Sequence, residues 1–205
     1  MKKPNAVWNF YAPVYNVFMR SNRKAYEKMY KRIRKVIKGR KVLELATGTG
    51  LIARHVADTA REMVATDFSE NMLRQARKGE VPANLSFQME DATDLSFGDH
   101  EFDVVIISNA LHIIPNPDKV LLEVARVLKP GGVFIAPNFI HDKGGLSSGM
   151  MSKLLVAAGI TFEAKWDENG YRDFLRENGW EVKNDKVLDA MIPLMYTECI
   201  SYRGF

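Results

Sequence analysis

The sequence predicts an α/β fold: a doubly wound, mostly parallel seven-stranded sheet with an antiparallel last strand and helices on both faces. Three observations carry this. Between residues 41 and 136, short apolar runs alternate with amphipathic stretches, the βαβα succession that builds a parallel sheet. The run Val104-Val105-Ile106-Ile107 has no polar interruption, as expected of a strand buried on both faces. Near the C-terminus, two strand-like stretches, 180–188 and 194–202, are joined around Met191–Pro193 by a connection too short for a crossover, so they must pair antiparallel.

Each element has a local reason. Residues 22–38 read as an amphipathic helix. Tyr26, Met29, Tyr30, Ile33, Val36 and Ile37 recur at helical spacing, and Arg23, Lys24, Lys28, Lys31, Arg32, Arg34 and Lys35 fill the other faces. Gly39 supplies a stop signal. Lys41–Leu45 is a short apolar strand, followed by a Gly-rich turn and a helix over residues 51–59. A second strand covers 63–68, and Ser69 can cap the helix running to residue 78, with Glu70 in its first turn. Residues 85–89 and 102–108 are the third and fourth strands. A helix over 118–128 leads to Pro130-Gly131-Gly132, which turns into the strand 133–136. Tyr171–Glu177 is helical and Gly179 breaks it. The span between, 137–165, carries glycines at 144, 145, 149 and 159 around an apolar piece at 154–158, which suits a lid over a substrate.

At 205 residues the chain is long enough for one well-cored domain. Its 46% hydrophobic and 26% charged residues are ordinary globular composition and exclude a disordered chain. Cys199 is the only cysteine, so no internal disulfide forms; with no His or Asp beside it, a buried structural thiol is its expected role. No run approaches the ~18 apolar residues of a membrane span. Met1-Lys2-Lys3 imitates the start of a signal peptide, but Pro4, Asn5, Asn9, Pro13 and Asn16 interrupt the stretch after it, and a cytoplasmic location is expected. The net charge of +4 conceals an asymmetry. Residues 1–41 hold 13 Lys or Arg against one acid, Glu27, whereas the other 164 residues hold 16 bases and 24 acids. Such a split bears on partners rather than on fold.

The chemistry concentrates after the first strand, at Glu44-Leu45-Ala46-Thr47-Gly48-Thr49-Gly50. Glycines between a strand and a helix permit a tight turn and let the backbone approach a ligand. Written as Gly48-x-Gly50-x-x-Ala53, the loop matches the general dinucleotide fingerprint, and Asp67 follows Gly48 by 19 residues at the end of the next strand. An acid there can accept from both hydroxyls of a ribose. Alone, these features specify an adenosine-containing cofactor or a structural turn. Glu44 is a carboxylate inside a strand and needs a partner, either loop amides or a cationic group of the ligand.

From Val42 to Gly50 and onward, the sequence resembles the class I S-adenosylmethionine-dependent methyltransferases. The resemblance is to the small branch that includes the ubiquinone and menaquinone biosynthesis enzymes and looks like the bacterial phospholipid N-methyltransferases. It runs from about Trp8 to Pro137 and more weakly to the end. Val42-Leu43-Glu44-Leu45-Ala46-Thr47-Gly48-Thr49-Gly50 resembles the family's first motif, with Ala46 where many members have a third glycine. Asp67-Phe68 resembles the ribose-binding end of the second strand, and Met72 the apolar contact to adenine. Glu90-Asp91-Ala92 resembles the acidic position that receives the adenine amino group. Ser108-Asn109-Ala110-Leu111-His112 resembles the segment under the methionine part, and Leu128-Lys129-Pro130-Gly131-Gly132 the turn before the fifth strand. The resemblance implies a Rossmann-like domain that binds S-adenosylmethionine, releases S-adenosylhomocysteine and uses no metal. Its cofactor contacts would be Glu44, Ala46, Thr47, Gly48, Gly50, Asp67, Phe68, Met72, Asp91, Ala92 and Asn109. On this basis the chain is one domain: residues 1–38 an N-terminal lid and basic helix, 39–136 the cofactor-binding core, 137–165 the substrate lid, and 166–205 the last helix and strand pair.

Methyl transfer from a sulfonium is an in-line displacement, so aligning the reactants and excluding water come first. A general base helps only where the acceptor atom must lose a proton. His112 is the candidate base, set against a packed role among Leu111, Ile113 and Ile114. Tyr11 and Tyr15, in a segment that covers the cofactor in relatives, are candidates to face the sulfonium through their rings or to pack the first helix. Met, Phe and Leu around the lid suggest a small apolar or amphiphilic, lipid-like acceptor. The basic helix at 22–38 suggests peripheral contact with an anionic membrane, or a solvated basic face over an apolar stripe packed on the sheet. Nucleic acid is not an expected acceptor, because the fourth-strand motif lacks the Asn/Asp-Pro-Pro-aromatic signature of nucleobase amine methylation. The rival readings are a phospholipid N-methyltransferase, an NAD-dependent oxidoreductase and a non-catalytic cofactor-binding module.

Overall fold

In the computed structural model, which describes residues 22–140, 164–190 and 192–202, the apolar runs become strands. These are β1 (Lys41–Leu45), β2 (Glu62–Asp67), β3 (Leu85–Met89), β4 (Phe102–Ile107), β5 (Leu128–Ile135), β6 (Asn138–Phe139), β7 (Trp180–Leu188) and β8 (Leu194–Ser201). The described helices are α1 (Arg23–Ile37), α2 (Leu51–Val56), α3 (Glu70–Ala76), α4 (Pro117–Val127) and α5 (Glu168–Glu177). Strands β1 to β5 run parallel in the order β3-β2-β1-β4-β5. Strand β8 lies antiparallel beside β5, and β7 pairs antiparallel with β8.

The eight strands fill only seven positions. Ile135 faces Glu198 and Asn138 faces Met195, so β6 resumes the track of β5 along β8 in unbroken register. Pro137 interrupts the two because it has no N–H to donate. The predicted mostly parallel sheet with a reversed last strand is therefore present.

Side chains alternate between two apolar layers, as a strand covered on both faces requires. Leu43, Leu45, Val105, Ile107 and Phe134 join α4 and α5 residues such as Val120, Val124, Tyr171 and Leu175. Val42, Val104, Ile106 and Ile135 join Met29, Ile33 and Ile37 of α1 and Ile52 and Val56 of α2. The stripe of α1 is thus spent on the core, with Ala25, Tyr26, Met29, Tyr30, Ile33 and Ile37 all buried. Full burial of a large apolar side chain is worth roughly 1.5–3 kcal/mol, so peeling α1 off would cost on the order of 10 kcal/mol.

Several boundaries differ from the sequence expectation, each for a local reason. The helix expected over 51–59 is α-helical only to Val56 and closes as a 3₁₀ turn over Ala57–Thr59. Pro130-Gly131-Gly132 does not precede β5 but lies inside it. Phe102 pairs with Leu128 and Val104 with Val133, so the turn bulges out of the ladder. Gly132 is needed there, since a Cβ would come within 2.8 Å of the Lys129 carbonyl and 3.2 Å of that of Asp103. Helix α5 starts at Glu168, three residues before the expected start, because Asp167 caps it by accepting from the Gly170 amide at 2.8 Å. The first residues of the expected lid belong to the sheet as β6, and the stretch 141–163 lies outside the described residues. Cys199 is a free, buried thiol whose pKa burial pushes up to about 12.

Candidate functional site

The strand order reverses between β1 and β4, and in sheets of this kind ligands bind at the carboxyl ends of the strands at such a switch point. The loop after β1 sits there. Thr47 N–H donates to the Thr66 carbonyl at 2.8 Å, and Gly50 N–H to that of Thr47 at 3.0 Å, which closes the turn. Gly48 and Gly50 take positive φ, 58° and 76°. At Gly50 a Cβ would also lie 3.0 Å from the Phe87 ring and 3.1 Å from the Ala76 Cβ, so glycine is required twice over. Ala46 also has positive φ, 52°. Alanine is therefore not a neutral replacement for glycine here, because the left-handed region costs an L-residue roughly 1–2 kcal/mol.

Asp67 ends β2 and ties the loop to α3. Its Oδ2 accepts from Gly48 N–H and its Oδ1 from Ser69 N–H, both at 2.8 Å. Burial raises its pKa, and the Ser69 and Gly48 amides oppose that rise. A carboxylate offers about four lone-pair sites, so two remain after these bonds. Ser69 in turn caps α3, accepting from Met72 N–H at 3.4 Å.

Among the described residues, three buried polar atoms here have no hydrogen-bond partner within bonding geometry: Glu44 Oε2, Thr47 Oγ1 and Asn109 Oδ1. Native interiors leave few such atoms unpaired, so three near the carboxyl ends of β1 and β4 mark the candidate site. Burial pushes the Glu44 carboxyl up to about 8, although the Thr47 hydroxyl and Ala53 amide lie close enough to favour its charged form. Asn109 has positive φ, 52°, and its N–H donates to the Pro137 carbonyl at 2.8 Å. Its Nδ2 donates to Tyr26 Oη of α1 at 3.0 Å, which ties the basic helix to the rim of the site.

The other side of the switch point is apolar and open. Phe68 and Met89 are 57% and 59% exposed although both are large hydrophobes, and they follow or end the paired strands β2 and β3. Met72 and Ala92 are half-buried. Asp91 is exposed, and its Oδ1 accepts from the amide and hydroxyl of Thr93 at 2.9 and 2.7 Å. It is thus a turn aspartate whose Oδ2 is not engaged by Thr93. Glu90 is tied into the loop by Ser96 and Gln88. Met89 escaped the sequence reading, although a methionine ending a strand one residue before Glu90-Asp91 was the available signal.

His112 is buried beyond β4, and its Nδ1 lies 2.8 Å from Asn138 Oδ1 on β6. The Asn138 Nδ2 donates to the Phe139 carbonyl at 3.0 Å, which turns the amide oxygen toward the ring. An amide oxygen only accepts, so Nδ1 carries the proton and the lone pair of the neutral ring is on Nε2. Phe139 meets the imidazole edge to face at 6.2 Å. Asn138, 1% exposed, was missed in the sequence because β6 is too short to show a pattern. Tyr11 and Tyr15 lie outside the described residues. The described residues thus bring the loop, Asp67, Phe68, Met72, Asp91, Ala92 and Asn109 to the carboxyl ends of β1 to β4, with His112 just past Asn109.

Residues 43–136 match the family model described as a methyltransferase domain. Demethylmenaquinone methyltransferase of Renibacterium salmoninarum is 36% identical over 122 residues, 60% of this chain and 51% of that protein. The ubiquinone/menaquinone biosynthesis C-methyltransferase of Desulfotalea psychrophila is 42% identical over 93 residues, 44% of this chain and 38% of that protein. The chain spans about half or less of the length of these curated relatives. Among solved structures, a chain of the complex between the Haloferax volcanii Trm112 methyltransferase activator and its methyltransferase partner superimposes with a TM-score of 0.80. It is 21% identical, and the match covers 97% of each chain. Residues 43–136, just under half of the chain, therefore match the methyltransferase-domain model, and the chain shares its fold with that solved structure.

Proposed function

We propose that the chain binds S-adenosylmethionine and transfers its methyl group to a small lipophilic acceptor of the quinone-precursor class, at a ring carbon. The observation that carries the cofactor half is the pairing of unlike ends at one switch point. Glu44 Oε2, Thr47 Oγ1 and Asn109 Oδ1 form a buried polar end, and exposed Phe68 and Met89 form an apolar one. S-adenosylmethionine has that division, an amino-acid end carrying an ammonium and a planar adenine. In this reading Glu44 takes the ammonium, the remaining lone pairs of Asp67 take the ribose hydroxyls, and Phe68, Met72 and Ala92 line the adenine with Asp91 at its amino group. When bound, the cofactor supplies a methyl group made electrophilic by the sulfonium.

The acceptor half is supported by relatives named for demethylmenaquinone and for ubiquinone/menaquinone C-methylation. Carbon methylation of an aromatic ring displaces a proton, which gives His112 Nε2 work to do as a base and Asn138 a reason to hold the opposite nitrogen protonated. Tyr11 and Tyr15 are proposed to cover the sulfonium. A lipophilic acceptor also favours peripheral contact with an anionic membrane through residues 22–38. Among the described residues no helix is long and apolar enough to cross a membrane.

Methyl-tritiated cofactor offered with mixed demethylquinones and phospholipids tests this. Label should enter the quinone fraction. Label confined to phospholipid head groups would make the chain a phospholipid N-methyltransferase instead. No label in either, with the cofactor bound, would leave a non-catalytic module.

A further inference from the structure

Along α1, Lys24, Lys28, Lys31 and Lys35 recur at intervals of four, three and four residues, which places them on one face of the helix. All four are exposed. At 1.5 Å per residue the row is roughly 16 Å long. Neighbouring cations have partners: Arg34 pairs with Asp58 at 2.8 Å, Arg23 with Glu27 at 4.0 Å, and Arg32 lies over the Tyr196 ring. None of the four lysines has an ion pair among the described residues, and exposed Lys38 and Arg40 extend the charge. The opposite face cannot leave the core, since Met29, Ile33 and Ile37 are fully buried against the sheet. The row starts beside the site, because Tyr26, two residues from Lys24, accepts the hydrogen bond from Asn109.

We infer that this lysine row docks the enzyme on an anionic membrane surface by charge alone, with no apolar side chain inserted. The charge split favours one orientation: residues 1–41 are strongly basic, while the remaining 164 carry 24 acids against 16 bases and are repelled by the same surface. A single-stranded nucleic acid fits less well. Such ligands need aromatic platforms, and the aromatics of α1, Tyr26 and Tyr30, are 3% and 6% exposed. Lysine also lacks the planar fork that reads phosphates bidentately. The choice of a lipid surface rests on the lipophilic acceptor proposed above.

Cosedimentation of the full chain with vesicles tests it. The protein should bind phosphatidylcholine vesicles containing phosphatidylglycerol, release as salt rises, and ignore phosphatidylcholine alone. Changing Lys24, Lys28, Lys31 and Lys35 together to Gln should weaken binding about fivefold per lysine, several-hundred-fold in all. Melting temperature and cofactor affinity should not change, and the four Lys→Arg changes should preserve binding. Equal binding of the Gln variant and the parent would overturn the inference. Equal binding to neutral vesicles would replace it with apolar insertion, and salt-sensitive binding to single-stranded RNA but not to vesicles would replace it with a nucleic-acid partner. Because partitioning is read without turnover, lysine-dependent binding with no quinone labelling would count against the acceptor and not against the surface.

Discussion

Replacing His112 with Gln is expected to lower methyl transfer by about 10²–10⁴-fold while cofactor affinity stays within twofold. The prediction rests on the pair with Asn138. In the proposed role, the 2.8 Å contact with Asn138 holds Nδ1 as the donor and Nε2 would act as the base. Only the neutral form can take a proton. Asn138→Asp sharpens the test, because a carboxylate beside Nδ1 favours the imidazolium. That change should therefore lower the rate. Asn138→Ala should lower the rate and leave the cofactor in place. If the pair only packs the end of β4 against β6, all three changes lower the melting temperature and the rate falls only in proportion to the folded fraction. Full turnover by His112→Gln would remove the residue from the chemistry.

Glu44→Gln should change stability and affinity in opposite directions. The carboxyl has an ordinary value of 4.5 and is pushed up to about 8 in the fold, mainly by burial. Between those values the folded chain holds a proton that the unfolded chain has released. Stability therefore falls as pH rises through the window, and the cost of the buried charge is complete only above about 8. Gln carries no charge, so the variant should gain on the parent across the window and level off above it. Each kcal/mol gained raises the melting temperature by about 2–4 °C in a chain of this size. Affinity should drop by about 1.5–3 kcal/mol, the usual worth of a hydrogen bond to a charged group. Melting curves at both ends of the window, each with and without S-adenosylmethionine, read both effects. A variant advantage that does not grow with pH would contradict the burial argument.

Much of the sheet was legible because its signals are periodic. Val42, Leu43, Val104, Val105 and Ile106 are apolar on successive positions, which only a doubly covered strand tolerates. The short link near Met191 dictated the antiparallel tail. What escaped has no period. Strand β6 is two residues long, and its Asn138 became visible only when β8 held it beside His112. The Pro130 turn read as punctuation, but the ladder absorbs it as a bulge. At the site, residue types were readable and their local duties were not. Asp67 looked like a ribose acceptor, yet it also holds the Gly48 and Ser69 amides. Asp91 is occupied with Thr93. Ala46 read only as an alanine where many relatives have glycine, because φ cannot be seen in a sequence.

Calorimetric titration of the parent and of Asp67→Ala with S-adenosylmethionine and NAD is the decisive test of the methyl-donor site. The parent should bind S-adenosylmethionine at one site and should not bind NAD. Asp67→Ala should lose roughly 1–3 kcal/mol of that affinity, with a modest fall in melting temperature because Gly48 loses its acceptor. Binding of NAD without S-adenosylmethionine, or an Asp67→Ala variant with unchanged affinity, would contradict the assignment.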